Sequence, residues 1–88
     1  VIESNITICN KAGLHARAAS RLVSVASQFQ SSVKIGNEKL VDGRSILSLM
    51  MLAAGKGTTL KIVVDGEDEQ HALDAIQFLV NNRFDEGE

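Results

Sequence analysis

A chain of 88 residues with 44% apolar and 23% charged side chains can build one small hydrophobic core, which excludes a second domain, leaves no room for a deep catalytic cavity and puts function on the surface of a two-layer fold. Nine Lys and Arg against eleven Asp and Glu, net charge −2, with no Tyr or Trp, remove both the basic footprint and the stacking residues of a nucleic-acid binder. A single cysteine, Cys9, excludes an internal disulfide framework and a Cys-rich zinc site, and proline is absent altogether.

Along the chain, Ile2, Ile6 and Ile8 alternate with Glu3, Asn5 and Thr7, the period of a strand with one wet face. After Asn10-Lys11-Ala12-Gly13, the apolar positions Ala18, Ala19, Leu22, Ala26 and Phe29 recur at helical spacing and predict a helix over 16–28. Val33 and Ile35 mark a short second strand, which Gly36-Asn37 turns back into 38–41. Good helix formers from Ser45 to Ala54 predict a second helix stopped by Gly55, with Gly55-Lys56-Gly57 as its exit turn. That turn lacks the upstream glycine and trailing hydroxyl of a phosphate-binding P-loop. Leu60, Ile62 and Val64 alternate into a fourth strand closed by Asp65-Gly66. The last helix opens on Glu67-Asp68-Glu69 and turns Ala72, Ala75, Ile76 and Leu79 inward.

The order βαββαβα predicts an α+β fold, a four-stranded antiparallel sheet with three helices on one face and the other face solvated. Residues 1–88 form a single domain, with 85–88 expected to fray as an acidic tail. No apolar run approaches the roughly 20 residues that span a bilayer, and no basic leader precedes the first strand, so a soluble cytoplasmic protein without membrane insertion is expected. His71 has no second metal ligand at helical spacing except carboxylates such as Glu67 and is expected in solvent; no metal or cofactor is called for. Cys9 reads as a structural thiol.

His15 and Arg17 stand where the first helix begins. Unpaired N–H groups and the helix dipole attract an anion there and oppose a proton on the imidazole, which keeps it neutral and nucleophilic near pH 7. A phosphoryl group accepted by His15 would rest on backbone N–H groups at Ala16, Arg17 and Ala18, with the Arg17 guanidinium as partner for its oxygens. On spacing alone, a helix-start histidine and a solvated arginine explain the same residues. Ser45 reads as the N-cap of the second helix. Ile46, Leu47, Met50 and Met51 exceed what a one-sided helix buries, since Leu49 and Leu52 are the better core candidates, and they suit a docking patch.

The segment Gly13-Leu14-His15-Ala16-Arg17-Ala18-Ala19 resembles the phosphohistidine loop of the histidine-containing phosphocarrier proteins (HPr) of the bacterial phosphoenolpyruvate:sugar phosphotransferase system. Gly43-Arg44-Ser45-Ile46-Leu47-Ser48-Leu49, followed by Ala53-Ala54-Gly55-Lys56-Gly57, resembles their regulatory-serine region, and Gly66-Glu67-Asp68-Glu69-Gln70 the opening of their last helix. The resemblance covers essentially the whole chain. It implies an open-faced β-sandwich, and a monomeric phosphoryl carrier without turnover of its own. By the same resemblance His15 accepts phosphate on Nδ1 from phosphorylated enzyme I and passes it to a IIA-type domain, with Arg17 steadying the group. It further implies that Ser45 is a target for an ATP-dependent HPr kinase/phosphorylase, and that Ile46, Leu47 and Met50 meet partners.

One position departs from the pattern. The family usually has proline where this chain has Ala18, which loses preset φ for the first helical turn; a shifted loop stability and transfer rate, without loss of phosphorylation, is expected. Asn10-Lys11 and Phe84-Asp85-Glu86 look like the nitrogen-related carriers and 66–70 like the sugar-system ones, so the branch stays open. Two other functions compete. One is a regulatory binding module that works through Ser45 and the second helix with little or no phosphotransfer. The other is a phosphatase-like enzyme, which lacks a visible general acid and a cleft.

Overall fold

The computed structural model describes residues 1–86. Its elements run β1 (Ile2–Thr7), α1 (Ala16–Ala26), β2 (Ser32–Gly36), β3 (Leu40–Asp42), α2 (Ile46–Met51), β4 (Thr59–Asp65) and α3 (Glu69–Asn81), followed by a short turn at Arg83–Asp85. The strands form one sheet in the order β1-β4-β2-β3, every neighbouring pair antiparallel. Alternation along the strands sets the register: Ile6 faces Leu60 across β1 and β4, while Val33 and Ile35 of β2 face Val64 and Ile62 of β4. All six are buried beneath the helices. Glu3, Asn5, Thr7, Lys34, Lys61 and Asp65 lie on the open face, in water.

α1 lies between α2 and α3 over the sheet and turns Ala18, Ala19, Leu22 and Ala26 down, all fully buried. Three alanines in that stripe let the helix backbone approach its neighbours α2 and α3 closely, and Leu22 alone contributes about 1.5–3 kcal/mol of apolar burial. α1 ends two residues before the spacing predicted. Gln28 and Phe29 N–H groups turn back to the Val25 and Ala26 carbonyls in tighter bonds, and the carboxylate of Asp68 then accepts the Gln30 and Ser31 N–H groups at 2.9 and 3.0 Å. Spent on that bond, Asp68 makes no cap on α3, which starts at Glu69.

The second helix is shorter than the run Ser45–Ala54 suggested. After Met51 the chain tightens, Ala53 takes a left-handed conformation with φ 51°, and the Ala54 carbonyl leaves the helix to accept the Leu14 N–H at 2.8 Å. The tightened turn at Leu52 and Ala53 thus ends α2 ahead of the glycine, and a contact distant in sequence fixes its exit.

At Asp85 and Glu86 the structure differs from the frayed end expected over 85–88. Phe84 is fully buried, the Arg21 guanidinium donates to its carbonyl, and Glu86 reaches back into the loop before α1. Three successive non-glycine residues, Arg83, Phe84 and Asp85, hold φ of 55°, 52° and 63° to make that turn. Such conformations cost roughly 1 kcal/mol or more each, so Phe84's burial has strain to offset. Gly87 and Glu88 lie outside the described residues.

Candidate functional site

The loop before α1 is set by Asn10 and Gly13. The buried Asn10 amide donates to the Gly13 carbonyl at 2.8 Å, and Gly13 sits at φ +74° with no room for a side chain, since a Cβ would stand 2.6 Å from the Ala54 oxygen. Leu14 then plugs into the core. His15 follows as the N-cap of α1, in extended conformation, and its Nδ1 accepts the Arg17 N–H at 3.2 Å in the place a serine or aspartate oxygen usually takes. The first backbone bond of the helix runs from Ala19 N–H to the His15 carbonyl, so the amides of Ala16, Arg17 and Ala18 precede it.

The other ring nitrogen meets the turn after α3. His15 Nε2 lies 2.5 Å from Glu86 Oε2, and Glu86 Oε1 accepts the second Asn10 amide hydrogen at 2.9 Å. One tautomer satisfies both ends of the ring: Nε2 carries the proton toward the carboxylate, and Nδ1 keeps a lone pair toward the helix N-terminus. Burial alone would push the Glu86 carboxyl up, but hydrogen bonds from Asn10 and His15 and the positive potential of His15 and Arg21 outweigh it and hold the group below its ordinary range. The His15 side chain keeps 34% of its surface exposed and Glu86 only 16%, so the ring is open to a partner while its carboxylate is sheltered.

The residues singled out from sequence fall into three places. His15, Ala16 and Arg17 share the start of α1, with Ala16 and Arg17 exposed; Ala18 is fully buried, so its N–H lies beneath the surface an anion would reach. Ser45 caps α2, its hydroxyl oxygen accepting the Ser48 N–H at 3.2 Å. Ile46, Leu47, Met50 and Met51 all stand exposed on α2, Leu47 at 69% and Met51 at 77%, while Leu49 is fully buried and Leu52 packs partly against the core. α2 packs beside α1, and the bond from Leu14 to Ala54 ties its exit to the His15 loop. Sequence reasoning missed Asn10 and Glu86. The available signal was Phe84, a large apolar residue in an otherwise polar end.

Comparison with known proteins agrees with this fold. A family described as "PTS HPr component phosphorylation site" matches residues 2–82. The chain is 56% identical over 85 residues to phosphocarrier protein HPr of Pseudomonas aeruginosa, covering 94% of each. It is 46% identical to phosphocarrier protein NPr of Shewanella violacea, over 97% of this chain and 94% of the relative. Among solved structures, HPr from Thermoanaerobacter tengcongensis superposes with a TM-score of 0.92 at 37% identity, covering 98% of both chains.

Proposed function

The chain belongs to the HPr family of phosphocarriers of the phosphotransferase system, and from that premise we propose that His15 takes a phosphoryl group on Nδ1 from phosphorylated enzyme I and hands it to a histidine of a IIA-type domain. The observation that carries the reading is the N-cap geometry: the Nδ1 lone pair points at the amide of Arg17, at the positive end of α1. When Nδ1 bonds phosphorus it gives up that amide, which becomes free to donate to a phosphoryl oxygen beside the exposed Ala16 N–H. The Arg17 guanidinium, permanently charged, completes the set. A helix end contributes about 0.3–1 kcal/mol and a charged hydrogen bond about 1.5–3 kcal/mol, enough to hold the group and too little to trap it.

Docking falls to the adjoining face of α2, where Ile46, Leu47, Met50 and Met51 offer an adaptable apolar patch to more than one partner. Phosphorylation of Ser45 by an HPr kinase/phosphorylase would leave the helix standing, because an anion suits its N-terminus, and would place about −2 of charge at the border of that patch. Among the described residues no helix is long and apolar enough to cross a membrane, and the proposed setting is the cytoplasm. The test is incubation with phosphoenolpyruvate and enzyme I. An acid-labile, base-stable phosphoryl group is expected on His15 and not on His15→Ala; no label beside an active enzyme I control would refute the carrier reading.

A further inference from the structure

We infer that Glu86 is a positioning residue for the transfer: it keeps the proton on Nε2 of His15 while Nδ1 gains and loses the phosphoryl group. The inference rests on the carrier reading and extends it to a residue that lies beyond the segment matched by the family. Glu86 is not placed by chance. The buried ring of Phe84, the bond from Arg21 to the Phe84 carbonyl and the left-handed backbone at 83–85 bring its carboxylate to 2.5 Å from Nε2, and Asn10 fixes the second oxygen at 2.9 Å. Both hydrogens of the Asn10 amide are engaged, one on Gly13 and one on Glu86, so one carboxylate oxygen is held by Asn10 and the other faces the ring.

The chemistry follows from that contact. The Nδ1 lone pair forms the new N–P bond as the P–N bond to the donor's histidine breaks, and that electron pair returns to the donor's ring. No proton moves. The ring of His15 becomes an imidazolium whose positive charge, shared with Nε2–H, faces the Glu86 carboxylate. On delivery, the N–P electron pair returns to Nδ1 and a neutral ring leaves, still protonated on Nε2. Without the carboxylate, the phosphorylated ring would lose the Nε2 proton more readily, and a ring lacking that proton is the poorer leaving group. The charged side chains on the surrounding elements are Lys11 before α1, Arg17 and Arg21 on α1, Lys56 after α2, and Arg83 and Asp85 beside Glu86. Most of these are cations, which would oppose a protonated ring; Glu86 is the anion in contact with it.

The experiment compares wild type, Glu86→Gln, Glu86→Ala and a surface control, Glu3→Gln. Nitrogen-15 spectra of the His15 ring are expected to show a slowly exchanging Nε2–H in wild type and control, lost to exchange in both Glu86 variants. After phosphorylation, the pH profile of phosphoryl loss should move to lower pH by about half to one unit in both Glu86 variants, as expected for losing a charged hydrogen bond at a partly exposed site. Transfer to a IIA-type domain near pH 7 should slow in proportion to the protonated ring lost, by up to about threefold for a half-unit shift and up to about tenfold for a full unit. An unchanged pH profile in folded Glu86→Gln and Glu86→Ala would overturn the inference while labelled wild type still upheld the carrier. An unlabelled wild type would instead overturn the carrier reading, and the role in transfer with it.

Discussion

Phe84 offers the sharpest test of how the site is assembled, because Phe78 supplies an internal control of the same residue type. Phe84 is fully buried, whereas Phe78, on the outer side of α3, is 72% exposed. Replacing a buried Phe by Ala costs about 3–5 kcal/mol when the surroundings cannot collapse. Here the turn at 83–85 can partly detach, and release of the left-handed strain at one of its three residues returns roughly 1 kcal/mol, so a net loss of about 2–4 kcal/mol is expected for Phe84→Ala. In a domain of this size, where 1 kcal/mol shifts the midpoint by about 4–8 °C, thermal unfolding should fall by roughly 8–32 °C. Phe78→Ala should stay within about 0.5 kcal/mol of wild type, as for other exposed positions. Urea unfolding of the three proteins at pH 7, followed by circular dichroism, measures both. If the two variants were equally and barely perturbed, the end of the chain would be a solvated tail and the attachment of Glu86 to His15 would have no foundation.

Other consequences can be checked with the same instruments. Gly13→Ala puts a Cβ 2.6 Å from the Ala54 oxygen at a backbone angle that disfavours any side chain, and should lose about 1–3 kcal/mol of stability together with phosphorylation of His15; a stable, fully active variant would contradict the loop geometry. Ala18→Pro removes an amide that precedes the helical bonds and lies in a buried residue, so stability should change by no more than about 1 kcal/mol and the rate of transfer should shift without vanishing; an inert wild type beside an active variant would refute this. Acid should weaken the fold through Asp68, whose carboxyl is held below its ordinary value by the Ser31 hydroxyl and the Gln30 and Ser31 amides. Because the folded value lies below the unfolded one, that stabilisation is complete above about pH 5 and drains as pH falls through the folded value, so Asp68→Asn should show a smaller drop in urea midpoint between pH 7 and pH 3 than wild type. Equal drops would remove Asp68 from the account.

The strands and helices were legible in sequence because each buries one face, and a period of two or of 3.6 residues records which one. Ile6, Leu60, Ile62 and Val64 declared the sheet, and Ala18, Ala19, Leu22 and Ala26 declared α1. His15 and Arg17 were legible for a different reason: a helix start is written locally, and its chemistry follows from the unpaired amides there. What stayed hidden depends on contacts between distant segments. The early end of α2 lies in a tightened turn with Ala53 left-handed, and its exit is fixed by the bond from Leu14 to the Ala54 carbonyl, forty residues apart in sequence. The inward turn of Glu86 comes from Phe84 docking beneath α1, which a polar, acidic end disguises. The burial of Ala18 was visible in the periodicity, but its consequence for the N–H was not, because a donor's exposure depends on what is packed over it.

These distant contacts change what kind of site this is. A helix N-terminus alone would favour an anion near His15 while opposing the positive charge that the ring itself acquires when Nδ1 bonds phosphorus; a carboxylate alone would welcome the ring's charge and repel the phosphoryl group. The fold separates the two demands across the width of one imidazole. Nδ1 faces the amides of α1, and Nε2, on the opposite side of the ring, faces Glu86. At such short range each field acts mainly on its own nitrogen, and the exposed rim between them, screened by solvent and by the cations of Arg17 and Arg21, weakens the repulsion between phosphoryl and carboxylate. His15 lies at the surface, and placing opposite charges on opposite edges of its ring separates them without an enclosing cavity.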